Sequence, residues 1–153
     1  MAQIVLAGDN HGDISSIQYI LNNHPDADYY LHTGDSCLKT KEIAPFISVK
    51  GNNDYFNDDL PSYRLLDIEG HKILLIHGEK YAYSVQSLLL KAQENKADIV
   101  FFGHTHVFFY KEFNGITLIN PGSTYYNRNG EVASYALIEL DESSITVNRK
   151  KII

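Results

Sequence analysis

The chain has 153 residues, 44% hydrophobic and 21% charged, which excludes bulk disorder and fits one domain with a buried core. A net charge of −6, with Lys and Arg scattered, argues against a protein that coats nucleic acid. The longest apolar runs, such as Ile73–Ile76 and Ile99–Phe102, fall far short of the roughly 20 residues of a membrane span. The single Cys37 excludes an intrachain disulfide and a multi-cysteine zinc finger.

No basic, apolar leader opens the sequence, so no signal peptide is expected, and a reducing cytoplasm is the expected compartment. No repeat or linker divides the chain, and residues 1–153 read as a single domain. In chain order, Ile4–Ala7 reads as a buried strand that runs into Gly8-Asp9-Asn10-His11-Gly12. Ile14, Ile17, Ile20 and Leu21 then share one helical face, with Asp13 or Ser15 as cap and Pro25 beyond the end. Tyr29–His32 is a strand ending in Thr33-Gly34-Asp35. Lys39–Ala44 suggests a weaker helix, and Phe46–Lys50 a strand ending in Gly51-Asn52-Asn53-Asp54.

Leu65–Ile68 and Lys72–Ile76 flank Glu69-Gly70-His71 as a hairpin, with His71 read as a turn residue, and the second arm meets His77-Gly78. Val85, Leu88, Leu89 and Ala92 form a helical stripe after Ser84. Asp98–Phe102 runs into Gly103-His104-Thr105-His106. Val107–Phe113 and Ile116–Ile119 flank Asn114-Gly115, a strong hairpin turn, and lead to Asn120-Pro121-Gly122-Ser123. Val132–Leu140 and Ile145–Lys150 form a last pair around Asp141–Ser144. Strand–helix–strand units early and hairpins late predict an α/β fold of two packed mixed sheets with helices outside.

The polar residues Asp9, His11, Asp35, Asn52, His77, His104 and His106 all follow strands, where ligands collect in open α/β sheets. Two carboxylates, an amide oxygen and four imidazoles suit Mn, Fe, Zn, Ni or Mg rather than copper(I) or an iron–sulfur cluster. Seven ligands exceed one tetrahedral zinc and match two ions sharing a carboxylate. Extended chain would let Asp9 with His11, and His104 with His106, each present two donors together. His24 reads as a helix-end residue, His32 as buried or supporting, and Cys37 as a small structural residue near the site.

These blocks, in this order, resemble the calcineurin-like metallophosphoesterase superfamily, and their short spacings resemble its small single-domain bacterial and archaeal phosphodiesterase branch. Asn120-Pro121-Gly122-Ser123 is also typical of that branch, and the resemblance covers roughly residues 4–128. It implies a β-sandwich flanked by helices and a two-metal site. Asp9, His11 and His106 would hold one ion with Asp35, which would bridge to a second held also by Asn52, His77 and His104. Asp35, Asn52, His77 and His104 are the expected catalytic set. Two divalent ions are implied, Mn2+ first, with Ni2+, Zn2+, Fe2+ or Mg2+ as alternatives. A water between them would attack phosphorus in line. The ions outweigh the two carboxylates, making the cleft a sink for phosphate in an acidic protein.

The implied activity is hydrolysis of a small-molecule phosphodiester, with no membrane partner. A phosphomonoesterase and a non-catalytic scaffold of the same fold, as in the retromer coat, are the alternatives. The intact ligand set argues against the scaffold, whose site is degraded. Two departures matter. Asn53 stands where many relatives have a proton-donating His, and Glu79 stands where relatives commonly have a second His; Glu79 is then a supporting or a surface residue. With Asn53 at that position the chain lacks an obvious general acid; the alternative is that His32 or Glu79 supplies the proton. Arg128 and Asn53 are the candidate substrate contacts; for Arg128 a solvated loop position is the alternative. Tyr55, Tyr81, Tyr83, Tyr125 and Tyr126 either stack on a substrate ring or cover the surface. Oligomeric state stays open: the aromatic hairpin Val107–Phe113 is either an association surface or core.

Overall fold

The structure is a computed structural model that describes residues 1–55 and 59–153. Among the described residues, ten strands form two five-stranded sheets. The first has the order β10 (Ile145–Lys151), β9 (Ser134–Leu140), β1 (Ala2–Ala7), β2 (Tyr29–His32) and β3 (Ile47–Ser48). The second has the order β4 (Tyr63–Ile68), β5 (His71–Ile76), β6 (Ile99–Phe101), β8 (Ile116–Pro121) and β7 (Phe108–Phe113). Strands β1, β2 and β3 run parallel, as do β5, β6 and β8, and the hairpin partners add antiparallel edges. The predicted mixed sandwich with outer helices is what the chain forms.

The inner faces of both sheets meet in one cluster that includes Ile4, Leu6, Leu31, Ile73, Leu75, Phe101, Ile119 and Ile138. The outer face of the first sheet, with Val5 and Ala7, is covered by Ile17 and Ile20 of α1 (Ile14–Asn23). Leu74, Val100 and Leu118 on the other outer face are covered by Leu88 and Ala92 of α2 (Val85–Glu94). Alternate residues of a central strand are therefore buried on opposite faces, which explains the unbroken apolar runs. Asp13 caps α1 by accepting from the Ser15 amide at 3.1 Å, and Ser84 caps α2 by accepting from the Ser87 amide at 3.1 Å.

Three local expectations need correction. Lys39–Ala44 forms only a 3-10 turn at Thr40–Glu42, because Pro45 disfavours helical backbone at the residue before it. The strand expected over Phe46–Lys50 pairs only at Ile47–Ser48; Lys50 then leaves the sheet and donates its amide to the Pro61 carbonyl at 2.7 Å. His71 is not a turn residue. Glu69 and Gly70, at φ +52° and +81°, make a two-residue turn, and His71 opens β5 opposite Ile68. In β7, Phe108 packs against the inter-sheet core and Phe109 and Phe113 against the α2 side, each partly buried, while Tyr110, Lys111 and Glu112 are exposed. Among the described residues, no helix is long and apolar enough to cross a membrane.

The parallel strands fix the position of the site. The segments after β1, β2, β3, β5, β6 and β8 leave the sandwich at one end, and these carry the polar blocks.

Candidate metal centre

Five strand ends deliver all seven predicted ligands into one neighbourhood. His11 Nε2 lies 3.1 Å from His106 Nε2 and 3.9 Å from Asp9 Oδ1, which is 3.5 Å from His106 Nε2. Beside this group, His77 Nε2 lies 2.8 Å from Asn52 Oδ1, 3.3 Å from His104 Nδ1 and 3.3 Å from Asp35 Oδ2. Asp35 Oδ2 is also 3.8 Å from His11 Nε2, so this one oxygen faces both groups. Asp9 reaches His77 too, at 4.0 Å, but through Nδ1. That nitrogen faces the Thr33 carbonyl at 2.9 Å, so Asp35 is the carboxylate that meets the inward-facing nitrogen.

The histidine tautomers follow from the outer contacts. His77 Nδ1 donates to the Thr33 carbonyl, and His106 Nδ1 donates to the Tyr126 carbonyl at 3.0 Å. In the neutral rings both Nε2 lone pairs then point inward, the arrangement by which backbone carbonyls orient metal-bound imidazoles. Asp9 and Asp35 are buried, and Asp9 Oδ1 has no hydrogen-bond partner. A buried carboxylate oxygen without a donor costs free energy unless a cation meets it. The atoms of Asp9, His11 and His106, and those of Asp9, Asp35 and His77, lie within 4.8 Å of one another and fit a metal ion.

Electrostatics agree. Burial opposes charge on His77, but the hydrogen bond to Asp35 and the charges of Asp9 and Asp35 push it up to about 9. Burial also works against the Asp35 charge, yet His77 and the two donors of Asn53 hold its carboxyl well below the usual range. Two buried carboxylates thus favour positive charge at this spot, as a proton or as a metal ion.

The backbone supports the cluster by strain and close approach. Asp9, His11, Asp35, His104 and His106 all have positive φ, between 46° and 73°. Such positions cost about 1–3 kcal/mol each and persist where the surroundings over-determine them. The expectation that extended chain pairs the ligands is therefore corrected: the pairs lie past the strand ends, in left-handed turns. His104 and His106 also face different groups, one toward His77 and the other toward His11. Gly51 is required by proximity, since a Cβ there would sit 2.1 Å from Asp35 Oδ1.

Several supporting residues carried no role in the sequence reading. Asp54, fully buried, accepts from the amides of Asp35 (2.8 Å), Gly51 (2.7 Å) and Cys37 (2.9 Å), tying two ligand loops together. Its signal was its place at the end of the Gly51–Asp54 block. Asn10 accepts from His32 Nε2 at 2.8 Å and donates to the Ser36 carbonyl. Asn120 Nδ2 donates to the Gly103 carbonyl and the Thr105 hydroxyl, while Ser123 Oγ donates to the Asp9 carbonyl at 2.7 Å. The Asn-Pro-Gly-Ser block is thus the brace of the ligand loops.

The remaining candidates divide. Asn53 turns inward: its amide and Nδ2 donate to Asp35 at 2.8 and 2.9 Å. Arg128 Nη1 donates to the Tyr83 hydroxyl at 2.6 Å, and the Tyr83 ring stands edge-on to His104, centroids 5.6 Å apart. His32 is buried with both nitrogens engaged, and burial pulls it down to about 4, so it supplies no proton to the site at neutral pH. Glu79 is exposed. Cys37 Sγ lies 3.9 Å from His11 Nδ1, behind the ring, and burial pushes the thiol up to about 11.

An N/O cluster of this kind, at the strand ends of a helix-flanked β-sandwich, is a site for hard-to-borderline divalent ions. Residues 2–143 match the model of the calcineurin-like phosphoesterase superfamily domain, and the chain belongs to that family. It is 34% identical to the probable metallophosphoesterase YsnB of Bacillus subtilis (strain 168), over 94% of this chain and 88% of that protein. A solved predicted phosphoesterase of Streptococcus pneumoniae TIGR4 superposes with a TM-score of 0.89 at 28% identity, covering 98% of this chain and 89% of that one. Zinc-complexed wild-type Vps29 of Entamoeba histolytica superposes with a TM-score of 0.78 at 25% identity, covering 97% and 98%.

Proposed function

We propose that this protein, as one domain over residues 1–153, hydrolyses a small phosphodiester at a two-metal centre. The observation that carries the reading is Asp35 Oδ2, which lies 3.8 Å from His11 Nε2 and 3.3 Å from His77 Nε2 and so faces both ligand groups. Asp9, His11 and His106 would hold one ion, Asn52, His77 and His104 the other, and Asp35 both. When bound, such ions supply Lewis acidity toward phosphoryl oxygens and acidify water, with Mn2+ the first choice and Ni2+, Zn2+, Fe2+ or Mg2+ the alternatives. The single cysteine supports a cytoplasmic setting.

The chain's own residues set the rest. Asn53 holds the Asp35 carboxylate in place through two donors, and Asp54 fixes the Asp35 amide behind it. The Thr33 and Tyr126 carbonyls keep the imidazole lone pairs turned inward. Arg128, which donates to Tyr83 beside His104, would steady a phosphate oxygen. With Asn53 spent on Asp35 and His32 neutral, the leaving oxygen departs without a side-chain acid. This favours diesters of acidic alcohols and strained cyclic diesters over alkyl monoesters.

The test is metal analysis beside a substrate panel. Two metal equivalents per chain, chelator-sensitive hydrolysis of bis(4-nitrophenyl) phosphate and slower hydrolysis of 4-nitrophenyl phosphate are expected. Faster monoester turnover would make the protein a phosphomonoesterase, and a doubly loaded, inert protein would make it a scaffold. A flat dependence of rate on phenol pKa across aryl diesters, with chemistry rate-limiting, would show that a proton donor exists.

A further inference from the structure

The segment that carries His104 and His106 has a second side. While those two rings turn to the metal centre, Phe102, Thr105 and Val107 line a cleft of about 270 Å³. Its other walls include Tyr83 and, from α2, Val85 and Leu88. No charged side chain lines it among the described residues. The Thr105 hydroxyl is already committed, accepting from Asn120 Nδ2 at 3.0 Å and from the Val107 amide at 3.2 Å. Tyr83 joins cleft and centre: it lines the one, stands edge-on to His104 of the other, and receives the Arg128 hydrogen bond.

We infer that this cleft is the subsite for one uncharged aromatic arm of the substrate, whose phosphate sits at the metal centre and whose ring passes Tyr83 to rest against Val85, Leu88 and Phe102. The inference rests on the diesterase reading and narrows it to aryl-type esters. The size suits one ring rather than a whole ligand, since complete small-molecule sites run to roughly 300–1,000 Å³. The lining selects the chemistry. A sugar or carboxylate arm would leave its polar atoms unmatched here, whereas a planar ring loses only unfavourable contact with water. The Tyr83 and Phe102 rings add edge and face contacts to a bound ring. Arg128 lies at the junction, where the phosphate ends and the ring begins.

The experiment compares phenylphosphonate with methylphosphonate, which share the phosphonate group and differ in the arm. Both are measured as inhibitors of bis(4-nitrophenyl) phosphate hydrolysis. In that hydrolysis the water oxygen bonds to phosphorus, and 4-nitrophenolate leaves with the electron pair of the broken P–O bond. Phenylphosphonate is expected to bind about tenfold more tightly, the scale of burying one face of a ring. Val85→Glu places a carboxylate in the cleft at the first position of α2, where a negative charge suits the helix. There the ratio should fall close to one, as it should in the exposed Tyr83→Ala. In the zinc-loaded protein, phenylphosphonate alone should shift the methyl NMR signals of Val85, Leu88 and Val107. Equal inhibition by both compounds, or a phenyl preference that survives both substitutions, overturns the subsite. Absence of diester turnover overturns the diesterase reading instead, and the methyl signals then decide the cleft separately, unshifted signals rejecting it.

Discussion

Strand β5 begins with His71 and is followed by His77, so one strand sets a histidine at each end of the sandwich. At the far end, His71 Nδ1 meets Asp98 Oδ2 at 2.6 Å and Nε2 meets the Asp141 carbonyl at 2.8 Å. A protonated ring donates to both, and donors and acceptors balance. At the near end, one His77 nitrogen is committed to Thr33 while the other faces Asp35, Asn52 and His104 together. Acceptors there outnumber donors, and Asp9 Oδ1 has none. The difference teaches that a histidine beside a carboxylate does not make a metal site; a surplus of converging lone pairs does.

The largest effect that could break this contrast is loss of the shared carboxylate. Asp35→Ala should leave well under one metal equivalent per chain and lower activity by roughly 10³-fold or more, whereas His77→Ala should keep about one equivalent. Elemental analysis of both variants checks this, and full double occupancy in Asp35→Ala would overturn the bridging role.

Asp54→Asn comes next. The amide has one acceptor oxygen where the carboxylate uses two for three backbone N–H groups. Metal affinity should fall about 10–100-fold and stability by roughly 2–3 kcal/mol, read by competitive metal titration and denaturant unfolding.

The pH dependence separates the two histidines by sign. Metal binding at this site would displace a proton from His77, whose value is raised to about 9 without metal. Apparent metal affinity should therefore climb by about tenfold per pH unit through neutrality and level off above pH 9. Activity at limiting metal should rise between roughly pH 6 and 8 for the same reason. Affinity that is flat from pH 7 to 9 would contradict the assignment.

The smallest effect belongs to His71. Burial works against its charge, but Asp98 and the Asp141 carbonyl raise it above the ordinary value. The stability it adds is full below the unfolded value near 6.5 and is lost as pH rises through the raised folded value. His71→Gln should cost less than about 1 kcal/mol at pH 6, shrinking at higher pH, with metal content unchanged. Thermal unfolding of both proteins across that range measures it.

Much of the molecule was legible in the residues. Runs such as Ile4–Ala7 and Ile73–Ile76 announce strands covered on both faces, Asn114-Gly115 announces a tight hairpin, and Asp13 and Ser84 announce helix starts. The seven candidate ligands stood out because each follows such a run, and strand ends are places that chain alternation alone identifies. Backbone detail was not legible. That Asp9, His11 and His106 sit in left-handed turns follows from loops forced to meet across two sheets, and no local preference of those residues requires it.

Sequence alone therefore determined most of the elements, the candidate ligands and the family resemblance, because these rest on local periodicity and on residue chemistry. Tertiary structure decided which ligands share a neighbourhood, since His104 and His106, two residues apart, turn to different groups. It also decided that Asp54 and Asn120 are braces, that His32 is neutral and enclosed, and that Phe102, Val107 and Val85 meet in one cleft beside the centre. Each of these depends on contacts between segments far apart in the chain, and their geometry exists only once the two sheets have packed.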